Sequence, residues 1–376
     1  MIGVVGRWLG SFILNGSEIC TTDQFKKFKI EETAGNTLPN FEFEINTPNE
    51  RLLMYLNEKN IINASLGVDN LAMTNMQLRP LKKEIARADG NNLNINVKGM
   101  LDKIQYLTNV GVKATPKQSA IQTLKEVVGK HFKTDFDVLT SQDKMNYLQH
   151  GITDTAFVKK LWMHANLGDK NFPMTAIEAD GTYRLRDAES LKNGTPQWDF
   201  SIFGTSENSI RYNSDYRIVS NTGMMNYWAG YSKPSQVIDI DSGIGDIINS
   251  ILSGVSSMGS SFEMSGDVVS SISENIFKTA NMDDKFHQSA KNNMANLAVG
   301  SSTTLTLTVS NRFFPIRVLD LAMFKDDINT ANGLGAIEAY SGVWTVTGVT
   351  RIIENWKLLT VVTMVRESMN SVQGTN

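Results

Sequence analysis

The chain has 376 residues, more than one ordinary core holds at ~150 residues per domain, and its 41% hydrophobic and 20% charged content excludes wholesale disorder and an integral helical membrane protein. The formal charge is -3, from 36 basic and 39 acidic residues, and no long basic run offers the local cationic patch that nucleic acid requires. Cys20 is the single cysteine, so no intrachain disulfide can form; stability must come from packing or oligomerisation, as suits a reducing cytoplasm.

Residues 1–14 are apolar but lack a signal-peptide core with a small-residue cleavage site, and residues 8–14 read as a strand. No segment reaches the ~20 uninterrupted apolar residues of a membrane-spanning helix. Residues 40–46, where Phe41, Phe43 and Ile45 alternate with Glu42 and Glu44, predict a strand with one dry and one charged face. A short helix is expected at 51–56, and clean alternation returns at 93–100. Residues 1–114 therefore read as a first, tube-like β-barrel domain.

At Thr115 the period changes. Thr115-Pro116 predicts a capped helix start, with Ile121, Leu124, Val127 and Val128 at helical spacing and Gly129 at the end. A second helix is expected at 141–148. A third is expected at 154–167, capped by Asp154, with Phe157, Leu161, Trp162 and Ala165 on one face and Gly168 beyond it. Asp180-Gly181 between alternating runs predicts a hairpin over 174–186, since both turn positions need positive φ. Residues 115–205 read as an α+β insertion domain.

Strands resume at 208–228, carried by Ile210, Tyr212, Tyr216, Ile218 and Tyr227. Residues from 241 to 273, and in the widest reading to 280, are rich in Gly, Ser and aliphatics and read as an exposed loop or a weak helix. A helix at 283–297 aligns Phe286, Ala290, Met294 and Leu297 on one side. Strands follow at 303–309, 316–324, 342–353 and 357–366, making residues 206–376 a second β-barrel domain. The expected fold class is thus strand-rich α+β, two tube-like barrels with a mixed helical and hairpin insertion.

Searching for chemistry yields no catalytic, cofactor-binding or metal-ligating residue, so no enzyme activity and no cofactor is expected. His131, His150, His164 and His287 show no metal-binding spacing and read as surface or packing residues. Cys20 lacks a histidine-partner motif, and no nucleophile elbow, dinucleotide fingerprint or P-loop is present. The carboxylate pairs Asp239/Asp241, Asp283/Asp284 and Asp326/Asp327 read as turn, cap or solvated groups. The six tryptophans are scattered; Trp162 reads as core, and Trp344 and Trp356 as core or interface residues of a terminal hairpin.

Two segments nevertheless carry a resemblance. Gln149, followed by Asp154-Thr155-Ala156-Phe157 opening a helix, and then a hairpin ending in Arg184-Leu185-Arg186-Asp187, resembles the tail-hub family of contractile and related phages. That family comprises late control protein D-like hubs and the hub part of type VI secretion spike proteins. Residues 342–368, through Trp344, Val346, Val349 and Arg366, resemble its closing barrel hairpin. Thr350 stands where the family often has histidine, and Leu358 or Leu359 where it has tyrosine.

The resemblance implies a structural hub of a phage baseplate or tail tip: a homotrimer whose six barrels present quasi-sixfold symmetry to the tail tube. Its implied partners are the tail tube protein, a central spike or tip protein and other baseplate subunits, and its implied place is the virion, after synthesis in the host cytoplasm. Alternatives are a hub with added cell-wall hydrolase activity, or one whose residues 244–276 contact the host envelope or membrane.

Overall fold

The computed structural model describes residues 8–14, 17–20, 25–68, 74–87, 92–168, 171–201, 209–213, 216–220, 235–239, 274–278, 283, 289–290, 293, 297, 300–301, 303–325, 340–354 and 357–366. It opens with β1 (Trp8–Leu14), β2 (Ser17–Cys20), β3 (Phe25–Thr33) and β4 (Asn40–Thr47). A one-turn helix, α1 (Leu52–Tyr55), precedes β5 (Ile62–Val68), β6 (Thr74–Arg87) and β7 (Leu93–Leu101).

The alternation read at 40–46 and 93–100 is borne out: Phe41, Phe43 and Ile45 of β4 and Leu93, Ile95 and Val97 of β7 are buried. On the wet face Glu42 lies between Lys29 of β3 and Lys98 of β7. A one-residue slip of β4 would carry these carboxylates into the core, which pins the register. Gly99 is required by close approach, since a Cβ there would lie 2.2 Å from the Arg79 carbonyl and 2.5 Å from the Phe41 ring.

The middle of the chain runs α2 (Ile104–Thr108), β8 (Val110–Gln118), α3 (Ala120–Val128), β9 (Lys133–Phe136), β10 (Met145–Thr153), α4 (Asp154–His164), β11 (Pro173–Ile177), β12 (Thr182–Asp187) and α5 (Ala188–Lys192). The expected hairpin is present as β11 and β12, with Gly181 at φ +80° in its turn.

Three expectations are corrected. Thr115-Pro116 belongs to β8; the cap of α3 is Ser119, in a capping box with Gln122. No helix forms at 141–148, where β10 begins instead and pairs antiparallel with β8. The polar residues that resemble a helix start are used on another helix: the amide of Ala120 donates to Asp143 at 2.9 Å and that of Ile121 to Ser141 Oγ at 3.3 Å. Finally, α4 is capped by Thr153, whose Oγ1 accepts from the Ala156 amide, and it stops at His164; Asp154 is its first helical residue.

The remaining strands are β13 (Trp198–Ser201), β14 (Ser209–Ile210), β15 (Tyr216–Ser220), β16 (Ser235–Asp239), β17 (Glu274–Lys278), β18 (Thr303–Ser310), β19 (Leu321–Lys325), β20 (Gly342–Glu354) and β21 (Lys357–Arg366). The strand expected at 316–324 is confined to β19; residues before it form a bend, with Leu319 at φ 71°. The Gly/Ser segment 241–273 lies outside the described residues. So does most of the helix expected at 283–297, of which Ser289, Ala290, Asn293 and Leu297 are described and helical.

The terminal hairpin of β20 and β21 is present as expected. Its first strand is the junction of the molecule: residues 342–345 pair with β19, residues 348–354 with β3, and the other edge with β21. The main sheet runs β14-β13-β19-β20-β3-β4-β7-β6-β5-β1-β2, with β21, β18 and β15 branching from β20; among the described residues it is an open path. The fold is therefore strand-rich α+β. Three large cores fill it: one behind β3, β4 and β7, one around α3, α4 and β12, and one around β18 to β21 with Phe200 and Phe314.

Candidate functional site

The cores meet at a partly buried lattice of four guanidiniums and four carboxylates, in which Arg184, Glu178, Asp320 and Glu32 are buried and Arg317 is exposed. β12 supplies Arg184 and Arg186, β9 Asp135, the turn of the β11–β12 hairpin Glu178, the bend before β19 Arg317 and Asp320, β3 Glu32 and β20 Arg351. Arg184, whose side chain is 5% exposed, donates from one terminal nitrogen to the Val318 carbonyl at 2.6 Å and to Asp320 at 3.0 Å, and from Nε to Asp135 at 3.3 Å. Asp320 also accepts from the Trp198 indole at 3.0 Å and from the Arg317 amide at 2.9 Å. Arg317 forks onto both oxygens of Glu178 at 2.7 to 3.1 Å.

A second arm ties in the first strands of the sheet. Glu32 accepts from the Ala179 amide at 2.7 Å and from Arg351 at 2.8 Å, and Arg351 donates onward to the Ile316 carbonyl at 2.7 Å. Alongside, Ala34 bridges Ala176, and the Gly35 amide donates to Thr175. The hairpin, the N-terminal sheet and the C-terminal strands are thus held by one set of charges. Buried ions of this kind persist only when each is paired and hydrogen-bonded.

Electrostatics follow the geometry. Burial pushes the Glu178 carboxyl above its ordinary value, and the hydrogen bonds and charges of Arg317 and Arg184 offset only part of that. Burial also acts upward on Asp135, but the hydrogen bond from Arg186 and the charges of Arg186, Arg184 and Arg317 outweigh it and hold that carboxyl low. A raised carboxyl is what acid catalysis needs, yet both Glu178 oxygens are engaged by a guanidinium fork. The arrangement is suited to holding elements together. A cleft of about 170 Å³ opens beside it, lined chiefly by apolar groups such as Ile30, Phe313 and Ile353, with Arg317 and Arg351 on its wall.

The residues quoted for the resemblance come together in a second cluster. Gln149 Nε2 donates to Asp154 Oδ1 at 2.8 Å, and Asn109 Nδ2 and His131 Nε2 meet Oδ2 at the same distance. Phe157 is buried a turn further along α4. His131, read from the sequence as a surface or packing residue, therefore carries a specific partner. The carboxylate's own position gives no such hint, because its three partners lie on β10, on the loop after α3 and at the end of α2.

Burial alone would raise Asp154; the hydrogen bonds from Asn109, Gln149 and His131 and the charge on His131 override it and lower its pKa. The stability this adds is present above the ordinary aspartate value of 3.8 and is lost as pH falls through the depressed native value. We expect Asp154→Asn to cost about 2–3 kcal/mol at neutral pH, where a buried acceptor of three donors is disturbed. In urea unfolding over an acid series, the gap between the native chain and the variant should close only below pH 3.8.

The other sequence candidates are dispersed. His150 is exposed on β10, His164 ends α4, and His287 lies outside the described residues. Cys20 ends β2 and Asp239 ends β16, while Asp241, Asp284, Asp326 and Asp327 lie outside the described residues. Trp162 is half-buried and donates to the Pro173 carbonyl at 2.6 Å, and Trp344 is fully buried. Among the described residues no cluster of His, Cys, Asp or Glu could hold a metal ion, and no helix is long and apolar enough to cross a membrane. The charge lattice itself escaped the sequence reading, since its members are scattered from Glu32 to Arg351. The one available signal was Arg184, a charge at a core-facing position among buried neighbours.

No family model and no curated protein matches the sequence. The fold, however, is similar to that of solved structures over nearly its whole length. A tail protein from Neisseria meningitidis MC58 superposes with a TM-score of 0.57 at 12% identity, covering 96% of this chain and 97% of that one. The 43 kDa tail protein of prophage MuSo2 from Shewanella oneidensis gives 0.57 and 12%, covering 96% and 100%. An E. coli component of the type VI secretion system, itself described as structurally similar to T4 bacteriophage tail proteins gp27 and gp5, gives 0.50 and 9%, covering 95% and 77%. At these identities the likeness is one of fold.

Proposed function

We propose that the chain is a structural hub of a phage tail baseplate or tail tip, a non-enzymatic homotrimer that adapts the tail tube to a central spike. The observation that carries this reading is the end-to-end fold similarity to two tail proteins, one of them from a prophage, spanning 96% of this chain and 97 to 100% of theirs. On this reading the strands of 1–114 and 206–376 are two tube-like domains whose open sheet is completed by neighbouring copies, and 115–205 is the insertion between them. The charge lattice fits that role. It ties the first strands, the hairpin and the last strands to one another through ion pairs and hydrogen bonds.

Tail tube, spike and other baseplate subunits are then its partners, and the virion tail its location. Light scattering of the purified chain should give the mass of three copies. A monomer at micromolar concentration would count against the hub. A permanent trimer should bury on the order of 2,000 Å² or more at each interface.

A further inference from the structure

The main sheet has an open stretch along the outer half of β6. β5 pairs with β6 only through residues 74–78, whereas β7 runs beside it as far as Arg87. All of residues 81–87 are exposed, and their far edge carries no described strand. Past the bulge at Pro80, the residues Lys83, Ile85 and Arg87 stand opposite Val97, Ile95 and Leu93, which are buried. The apolar layer therefore covers β7 and stops, leaving Ile85 47% exposed on a core-facing position.

The neighbouring surface is also apolar. α1 and the turn after it expose Met54, Tyr55 and Ile61, and Lys83 Nζ joins the two elements by donating to the Leu53 carbonyl at 2.8 Å. An open strand edge is a template for another extended chain, and a cluster of exposed large apolar groups beside it marks a contact surface.

We propose that this edge receives a strand from a second copy of the chain, and that the strand is β2. β2 ends the same sheet on the side that this edge of β6 faces, beyond β5 and β1, and among the described residues it is paired on one side only, by β1. Charge selects it as well: its one charged residue is Glu18, whereas residues 81–87 hold Lys82, Lys83 and Arg87 against Glu84. Joining two different surfaces in this way is head-to-tail, the kind of contact that closes a ring when the rotation fits. The inference rests on the trimeric reading above and names the strands that join.

β2 carries its own probe, because Cys20 is the only cysteine. Adjacent strands bring Cα atoms to about 4.5–5.5 Å, within the roughly 4.4–6.8 Å that a disulfide spans. Each residue from 81 to 87 is replaced in turn by cysteine in the full chain, for example Lys82→Cys and Ile85→Cys. The mass in solution is measured, and the oxidised protein is run on a non-reducing gel.

The expected result is a particle of three copies in which alternate positions give reducible cross-linked dimers and trimers that vanish when Cys20→Ser is added. A three-copy particle with no Cys20-dependent cross-link at any of the seven positions overturns this edge and leaves the trimer standing. Cross-links that survive Cys20→Ser show β6 meeting itself and also overturn it. A single-copy mass overturns both readings.

Discussion

Arg184→Met should lower the unfolding free energy by about 3–5 kcal/mol, the cost of removing one partner from a buried ion network while leaving the others in place. Asp320 Oδ1 and the Val318 carbonyl would lose their donor, and Asp135 and Glu178 would each lose one of several cations. Urea unfolding reads this as a drop in midpoint. The companion variant Arg184→Met with Asp320→Asn should cost less than the two single changes added together, because the second removes the charge the first strands. Strict additivity would mean that the two groups, 3.0 Å apart, do not act as a pair.

Trp344→Ala should be similarly damaging, at about 3–5 kcal/mol for emptying a buried aromatic site. The ring is 1% exposed within the C-terminal core, and its indole nitrogen donates to the Tyr340 carbonyl at 3.0 Å. The guanidinium of Arg366 lies 4.5 Å from the ring centroid, and burial lowers its pKa. Losing the ring therefore also leaves a half-buried cation beside a void. Trp344→Phe should recover most of the loss, and a double-mutant cycle with Arg366→Met should show a coupling of about 1 kcal/mol. A loss below about 1 kcal/mol for Trp344→Ala would contradict the burial described for this site.

Strands whose two faces differ are legible in the sequence. Phe41, Phe43 and Ile45 alternate with carboxylates because β4 has one wet face, and Asp180-Gly181 marks the turn of the β11–β12 hairpin because Gly181 adopts positive φ. Residues 141–148 misled for an equally physical reason. Ser141 and Asp143 have the chemistry of a helix cap, and sequence cannot tell whose helix they cap; here it is α3, some twenty positions earlier. Ser119-x-x-Gln122 was the better signal for that start.

The charge lattice was hidden because it is defined by pairs remote in sequence. Glu32 and Arg351 are 319 positions apart, and neither is unusual among its own neighbours. The cluster of Gln149, Asp154 and Phe157 was visible only as a pattern. Its reason, a carboxylate collecting three donors, required knowing that Asn109 and His131 converge on it.

The position of β20 has a kinetic consequence. β3 leaves the ribosome long before its partner along residues 27–33, which emerges only after more than 300 further positions have been synthesised. Until then one edge of the N-terminal sheet, next to Phe28 and Ile30, has no strand to pair with. Contacts closed over so long a loop form slowly, and unpaired edges invite association between nascent chains. Folding of the N-terminal sheet should therefore wait for the hairpin of β20 and β21, the clasp that makes both halves native together.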